Sequence, residues 1–324
     1  MTELLVKSEA TTDSKYGLKP EERSMTQLLH AGILMLDKPR GPSSHQVSAW
    51  IKGILGVKTG HGGTLDPAVS GVLPIFLGSA TRMADSFLTS DKEYICLMRL
   101  HGKVTKKKIQ DTFKEFQGEI EQLPPVKCAV KRQLRKRNIY YIELLEIEWN
   151  DVLFKVGCEA GTYIRKYCHD FGEKIGVGAH MQELRRTRSG SFTEAETVTL
   201  QELKDAYIFF KDGGEEKYLR KCIKPVEVSV NNMPMLWVRD SAVDSLCHGS
   251  DLAVPGVVKM TSFEKGSRLA LLSMKGELIT TGESLMSSED IMHAKKGFVV
   301  KTGRVFMQPG TYPKAWKRKT DDGA

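Results

Sequence analysis

An α+β fold in two unequal parts is predicted by three observations on this sequence. Between residues 31 and 232, strand-like and helix-like stretches mix without the regular βαβ repeat of a doubly wound sheet. Beyond Asn231-Asn232-Met233-Pro234 come short β segments punctuated by Gly249, Pro255-Gly256, Lys265-Gly266 and Lys275-Gly276, the pattern of a small β barrel. The 324 residues also suffice for about two domains at roughly 150 residues each.

Residues 1–30 are polar and weakly periodic and read as an arm. Ile33–Leu36 is expected as a strand, ended by Pro39 and Gly41-Pro42. Ser43-Ser44 can cap a helix whose apolar positions Val47, Trp50, Ile51, Ile54 and Leu55 follow helical spacing. Five glycines keep residues 56–71 irregular. The pattern then predicts a helix over Ser79–Leu88, a strand over Tyr94–Leu100 and a helix over Thr105–Phe116. Pro124-Pro125 opens a basic segment with little periodicity, PPVKCAVKRQLRKRNIYY. Strands over Ile139–Ile147 and Val152–Glu159 flank the turn-prone Trp149-Asn150-Asp151, and a helix over Thr162–Ile175 follows. Ala179–Arg186 reads as extended, and Leu200–Phe210 as a helix behind a Thr199 cap. In the barrel, Leu236–Val238 is expected as a strand and Ser241–Cys247 as a helix. The expected divisions are an arm (1–30), a larger domain (31–232), the barrel (233–313) and a basic tail (314–324).

An apolar share of 40% supports real cores and a charged share of 27% is ordinary, which excludes a disordered or fibrous chain. No apolar run approaches the roughly 18–20 residues of a membrane helix. The first residues lack the basic start, apolar centre and cleavage site of a secretory signal, so a cytoplasmic protein without a membrane partner is expected. Cys96, Cys128, Cys158, Cys168, Cys222 and Cys247 are scattered, with no CxxC pair, and read as buried small hydrophobes in a reducing compartment. The 48 Lys+Arg against 40 Asp+Glu leave +8, which points to a polyanion, most simply nucleic acid.

The most unusual segment is His61-Gly-Gly-Thr-Leu-Asp-Pro67. Its glycines permit close approach to a ligand, and Pro67 stiffens the chain just after Asp66. A carboxylate held there can serve as base or nucleophile, although an ordinary Asx-type turn has the same local pattern. Val57 stands where a phosphate loop needs glycine before Lys58-Thr59, so nucleotide hydrolysis is unsupported. Arg165, in the first turn after Gly161-Thr-Tyr-Ile, can pair with a carboxylate or phosphate, or simply be a solvated helix arginine. Tyr94 and Lys38 are each ordinary taken alone.

Together they are not. Leu36-Asp-Lys-Pro39, Ser43-Ser44-His45, GHGGTLDP (60–67), Lys92-Glu-Tyr94 and Ala160-Gly-Thr-Tyr-Ile-Arg165 resemble, in order, the motif set of the TruB-type pseudouridine synthases. Pro125–Tyr140, CEAGTYIRKYCHD (158–170), GVGAHMQELRRTRSG (176–190), Leu236–Met307 and Gly310-Thr-Tyr-Pro313 narrow the likeness to the dyskerin-type enzyme of archaeal box H/ACA guide-RNA particles. The resemblance covers roughly residues 31–316. Gly63 stands where the family often has serine and Met35 where it often has asparagine, and neither change removes a charged group.

The resemblance implies a catalytic domain with a mixed, largely antiparallel sheet, a C-terminal PUA barrel, and an arm lying on the PUA side. It implies RNA uridine isomerisation without a cofactor or metal, guided by box H/ACA RNA, on rRNA or tRNA, in a particle with small core proteins. Asp66 would be the catalytic aspartate, acting on the sugar covalently or by removing a ribose proton. Arg165 would pair with a buried Asp66 and orient it, and Tyr94 would stack on the uracil and assist removal of the C5 proton. Leu184 would line the base pocket, Lys38 would support the loop and His61 would fill space beside the flipped base. For RNA it implies Lys131, Arg132 and Arg135 on a mobile thumb loop, and His248, Pro255 and Gly256 on the PUA surface that holds the ACA end. Further basic clusters are Lys106-Lys-Lys108, Arg185-Arg186 with Arg188, and Lys317-Arg-Lys319. Stand-alone modification of tRNA and a catalytically idle RNA scaffold are the competing readings, and the intact Asp66, Tyr94 and Arg165 argue against the second.

Overall fold

The computed structural model describes residues 4–124 and 133–314, and its contacts fall into two units. One is Ile33–Ile223; the other joins the residues up to Gly32 to those from Lys224 onward. Residues 224–232, which the sequence places with the catalytic portion, group with the C-terminal unit. Glu227 accounts for this: it is buried and accepts two hydrogen bonds from Arg23 and one from the Leu278 amide. Among the described residues no helix is long and apolar enough to cross a membrane.

The larger unit is built on a mixed sheet. Its strand order is Gly32–Lys38, Ser70–Leu77, Ala179–Ser189, Lys92–Leu100, Asp151–Cys158, Arg135–Glu148 and Gly118–Gln122. Every neighbouring pair is antiparallel except Ser70–Leu77 with Ala179–Ser189, which run parallel through Ser70–Arg185 and Gly71–Arg186. Along Lys92–Leu100, Lys92, Cys96, Met98 and Leu100 are buried while Arg99 is exposed, the two-residue alternation of a sheet with one covered face. The helices Lys106–Glu115 and Ile164–Ile175 cover that face, with Phe113, Tyr167 and Phe171 packed about Phe154. Each such side chain contributes about 1.5–3 kcal/mol on burial.

The helix Ser44–Leu55 begins on a capping box of Ser43 and Gln46 and ends at Gly56 in the left-handed conformation. Its buried stripe is Ser44, Val47, Ser48, Ile51 and Leu55; Trp50, expected in the core, is 49% exposed because it falls off that stripe. The helix expected over 79–88 is a 3-10 turn, Gly78–Met83, followed by the short helix Ala84–Leu88. The basic segment expected to be irregular is a strand from Arg135 onward, paired with Gly118–Gln122. Cys96, Cys158, Cys168, Cys222 and Cys247 are buried free thiols, and Cys128 lies outside the described residues.

The second unit is a seven-stranded sheet ordered Leu4–Val6, Val257–Thr261, Met235–Val238, Arg268–Leu272, Leu278–Ser284, Phe298–Val305 and Leu252–Ala253. Leu236, Val238, Leu269, Leu271, Ile279 and Val299 fill its core together with Val243 and Leu246 of the helix Asp240–Cys247. The arm is bound to this sheet by more than its edge strand. Lys7 Nζ donates to the carbonyls of Met292 and Ala294 at 2.7 and 2.8 Å, satisfying the open end of the helix Ser288–His293. The buried Glu277 carboxylate accepts hydrogen bonds from the Leu18 amide, Ser273 and Tyr312.

Candidate active site

Asp66 sits on the loop between the short strand Thr59–His61 and Ser70–Leu77. Such loops normally leave their backbone groups to water and move; this one is tied down at alternate residues. Arg186 Nη2 donates to the Gly63 carbonyl at 3.0 Å. Ser44 Oγ donates to the Leu65 carbonyl at 2.9 Å and accepts from the Leu65 amide at 2.8 Å. The Gly41 amide donates to the Pro67 carbonyl, and Lys38 Nζ to the Val69 carbonyl, both at 2.8 Å. The Val69 amide closes back on the Asp66 carbonyl at 3.0 Å. The backbone of Asp66 is held from both sides, which preorganises the carboxylate.

Lys38 is fully buried. Burial lowers its pKa, the Asp66 charge opposes that shift, and the Arg186 charge adds to it. Arg165 comes from the first turn of Ile164–Ile175 and ion-pairs with Asp66 through Nη2. Gln122 sets the start of that helix: buried at the end of its strand, it accepts from the Tyr163 amide at 2.9 Å and donates to the Tyr163 carbonyl at 3.2 Å. The pair is more open than the sequence reading implies, with side-chain exposures of 51% for Arg165 and 55% for Asp66. An ion pair in that setting stabilises the fold by about 0–1 kcal/mol, so its contribution is orientation of the carboxylate.

Tyr94, half-buried, lies opposite Arg186 across the strand pair, and its phenol lies in the field of the Arg186 guanidinium. Burial pushes the phenol pKa up, and Arg186 opposes the rise. Leu184, on the same strand as Arg186, packs with Tyr94 against the core beneath the sheet. His61 meets His45 edge-on, with ring centroids 4.8 Å apart, and its buried Nδ1 has no hydrogen-bond partner among the described residues. Burial, then the charges of His45 and Arg186, lower its pKa. Lys38, His61, Asp66, Tyr94 and Arg165 therefore share one neighbourhood, linked through the aspartate loop and Arg186.

Lys92 is a further buried base here. It donates to the carbonyls of Phe87, at 3.0 Å, and Ser90. Burial, then the Arg186 charge, lower its pKa from 10.5 to about 7. The unfolded chain therefore binds more protons than the folded one between those values, and stability contributed at this site rises with pH across that window. The unfolding free energy of the wild type, relative to Lys92→Met, is expected to increase from about pH 7 towards pH 10.5. A difference flat in pH, measured by denaturant titration, would contradict it.

Other residues singled out from the sequence lie elsewhere. Lys131, Arg132 and the 317–319 cluster fall outside the described residues. Arg135 opens its strand opposite Gln122, and the neighbouring Lys136 and Arg137 are ion-paired with Glu119 and Glu159. In the second unit, His248 caps the helix Asp240–Cys247, with Nδ1 2.8 Å from the Asp244 carbonyl oxygen. Pro255 and Gly256 form a tight turn, Val254–Gly256, where a side chain at Gly256 would crowd Leu252 and Ala242. The cluster Arg185-Arg186-Arg188 is not one basic face. Arg185 forks onto Asp37 and also meets Glu194, whereas Arg186 is 1% exposed. Neighbouring residues on a strand point to opposite faces, so adjacent arginines cannot share one. Ser44, Gln122 and Arg186 carry much of this geometry; the sequence marks Ser44 as part of a helix cap and of one family motif and Arg186 as part of a basic cluster, but neither as a tie on the aspartate loop, and it does not mark Gln122 at all.

Family models agree along the chain. A TruB family pseudouridylate synthase N-terminal domain matches residues 52–164, a tRNA pseudouridylate synthase B C-terminal domain 165–231, a PUA domain 234–306 and a DKCLD (NUC011) domain 1–48. A probable tRNA pseudouridine synthase B of Thermococcus kodakarensis is 53% identical over 321 residues, covering 98% of this chain and 95% of the relative. The chain belongs to the TruB family of pseudouridylate synthases. Members of this TruB family isomerise uridine to pseudouridine in RNA, and the Methanopyrus kandleri relative of the same name is 50% identical over 98% of this chain and 95% of its own. The fold agrees as well. A Cbf5-Nop10-Gar1 complex contains a chain with TM-score 0.92 and 50% identity, covering 97% of both chains. An H/ACA RNP bound to a substrate RNA containing 2'-deoxyuridine contains one with TM-score 0.92 and 48% identity, covering 98% of both.

Proposed function

We propose that this TruB-family enzyme acts in a box H/ACA ribonucleoprotein, where a guide RNA selects uridines of rRNA, and in some cases tRNA, for isomerisation, with small core proteins as partners. The single observation that carries the catalytic part is the aspartate loop, pinned through Gly63, Leu65, Pro67 and Val69 so that Asp66 meets Arg165. Likeness along nearly the whole chain to proteins solved in Cbf5-Nop10-Gar1 and RNA-bound H/ACA assemblies supports the particle. The free buried thiols suit a reducing cytoplasm.

The reaction breaks the bond between N1 of uracil and C1′, turns the base and rejoins it through C5, with the C5 proton lost and one gained at N1. Asp66 acts on the ribose, as nucleophile or as base for a ribose proton, and Arg165 orients it. Tyr94 stacks on the uracil and moves the C5 proton, Leu184 lines the base pocket, Lys38 supports the loop and His61 fills space beside the extruded base. Lys131, Arg132 and Arg135 contact substrate RNA, and His248, Pro255 and Gly256 hold the ACA end of the guide. Extruding a uridine costs a few kcal/mol, which stacking and phosphate contacts must offset.

The relatives' name favours a second reading, stand-alone action on tRNA. One assay separates the two: the purified chain on a tRNA and on a guide-matched RNA, each with and without guide RNA and core proteins. Turnover of the guide-matched RNA only in the assembled particle is expected. Activity confined to tRNA without guide would overturn the guided reading, and no activity in any combination would leave an RNA scaffold.

A further inference from the structure

Arg186 is an expensive residue to keep where it is. It is 1% exposed, and among the described residues it makes no ion pair with a carboxylate. A buried cation without a counter-charge is destabilising, and an apolar side chain of similar size would be cheaper in stability. Its guanidinium reaches three separate segments. Nε donates to the Val72 carbonyl at 2.8 Å and Nη2 to the Gly63 carbonyl at 3.0 Å, and the guanidinium so fixed faces Tyr94 directly across the strand pair.

The chemistry of that pairing is one-sided. A guanidinium has donors and no acceptor and keeps its positive charge. It therefore favours the Tyr94 oxygen in its negatively charged form, and it opposes the rise that burial causes in the phenol pKa. The remaining titratable groups that face Tyr94 are Cys158 on the adjacent strand and Asp66 on the loop. Those that face Arg186 are Lys38, His61 and Lys92.

We propose that Arg186 is a positioning residue for the isomerisation: held opposite Tyr94 by its bonds to Val72 and Gly63, it stabilises the negative charge that the Tyr94 oxygen acquires during proton transfer at the rotated uracil. The step is balanced within the site. The Tyr94 O–H bond breaks as N1–H forms; the C5–H bond then breaks as the O–H bond re-forms, and the tyrosine ends as it began. The charge between the two transfers lies on the oxygen that Arg186 faces, and a preorganised charge is most effective where the opposite charge develops.

This rests on the site reading above, so Asp66→Asn is run beside it. The experiment measures single-turnover rates against pH, with RNA affinity, for Arg186→Met, which removes charge and donors, and Arg186→Lys, which keeps the charge and loses the fork. Arg186→Met is expected to slow turnover by about 10²–10³-fold near neutral pH with RNA affinity unchanged. Arg186→Lys is expected to lose about tenfold. Placing a more acidic fluorotyrosine at position 94 should restore much of the loss. Slowing that fluorotyrosine at position 94 does not relieve would make Arg186 structural and overturn the inference, as would an undiminished rate. If Arg186→Met fails to fold, Arg186→Lys with and without fluorotyrosine decides. Turnover retained by Asp66→Asn would instead sink the site reading itself.

Discussion

Replacing Asp66 by asparagine is expected to abolish pseudouridine formation, by about 10⁴-fold or more, with RNA affinity kept within a few-fold. The substitution is nearly isosteric, and none of the bonds that hold the loop uses the carboxylate: Gly63, Leu65, Pro67 and Val69 are pinned through their backbones. The fold and the pocket should therefore survive while the group that acts on the ribose is neutralised. The Arg165 pair weakens, but at 51% and 55% side-chain exposure it adds about 0–1 kcal/mol to stability. Mass-spectrometric or chemical mapping of the product RNA, with a gel-shift titration beside it, checks both halves. Normal turnover would remove Asp66 from the mechanism; lost binding would make it an RNA contact.

A large effect on folding is expected at Gly71. It has φ +105°, and a Cβ built there would lie 2.2 Å from the Arg186 carbonyl oxygen. Its neighbour is backbone, in the parallel pairing of Ser70–Leu77 with Ala179–Ser189, so nothing nearby can swing aside. Gly71→Ala should destabilise by about 4 kcal/mol and lower the melting temperature by roughly 10 °C. Gly56→Ala is the control: also left-handed at φ +70° but with nothing within 4 Å, it should cost only about 1 kcal/mol. Gly71 also stands at the exit of the aspartate loop, paired with Lys38. Any Gly71→Ala protein that folds should turn over far more slowly, since a shift of about 1 Å at a reacting group can cost about 10²-fold. Equal melting temperatures for the two variants would show that the strand pair can part at no cost.

Local chemistry was readable where a single segment decides it. The Ser43 and Thr199 caps, the strand through Tyr94 and the helix that follows Gly161 all follow from short-range rules, and the structure has them. The ordered motifs around Lys38, Asp66, Tyr94 and Arg165 were enough to name a family and a reaction, because four spaced motifs are a constraint that chance rarely meets. The short strands of the second unit beyond residue 234 were readable from glycine and proline punctuation, since turns demand those residues wherever strands are short; that Leu4–Val6 and residues 224–232 join them was not.

Tertiary structure decided which way each of these side chains is used. Arg185 and Arg186 are identical in composition and adjacent in sequence. Strand pleating turns one towards Asp37 and Glu194 and buries the other against Tyr94 and Gly63, and the direction depends on a parallel pairing about 115 residues away. Ser44 and Gln122 look like routine polar residues until folding sets them against Leu65 and Tyr163. Trp50 looks like core until the buried stripe of its helix passes on the other side. The sequence by itself determined the fold class, the family and the loop that bears Asp66, because those depend on local propensity and motif order. Only the packed structure decided what holds that loop and Tyr94 in place, because a hydrogen bond between distant segments exists only once the sheet has chosen its register.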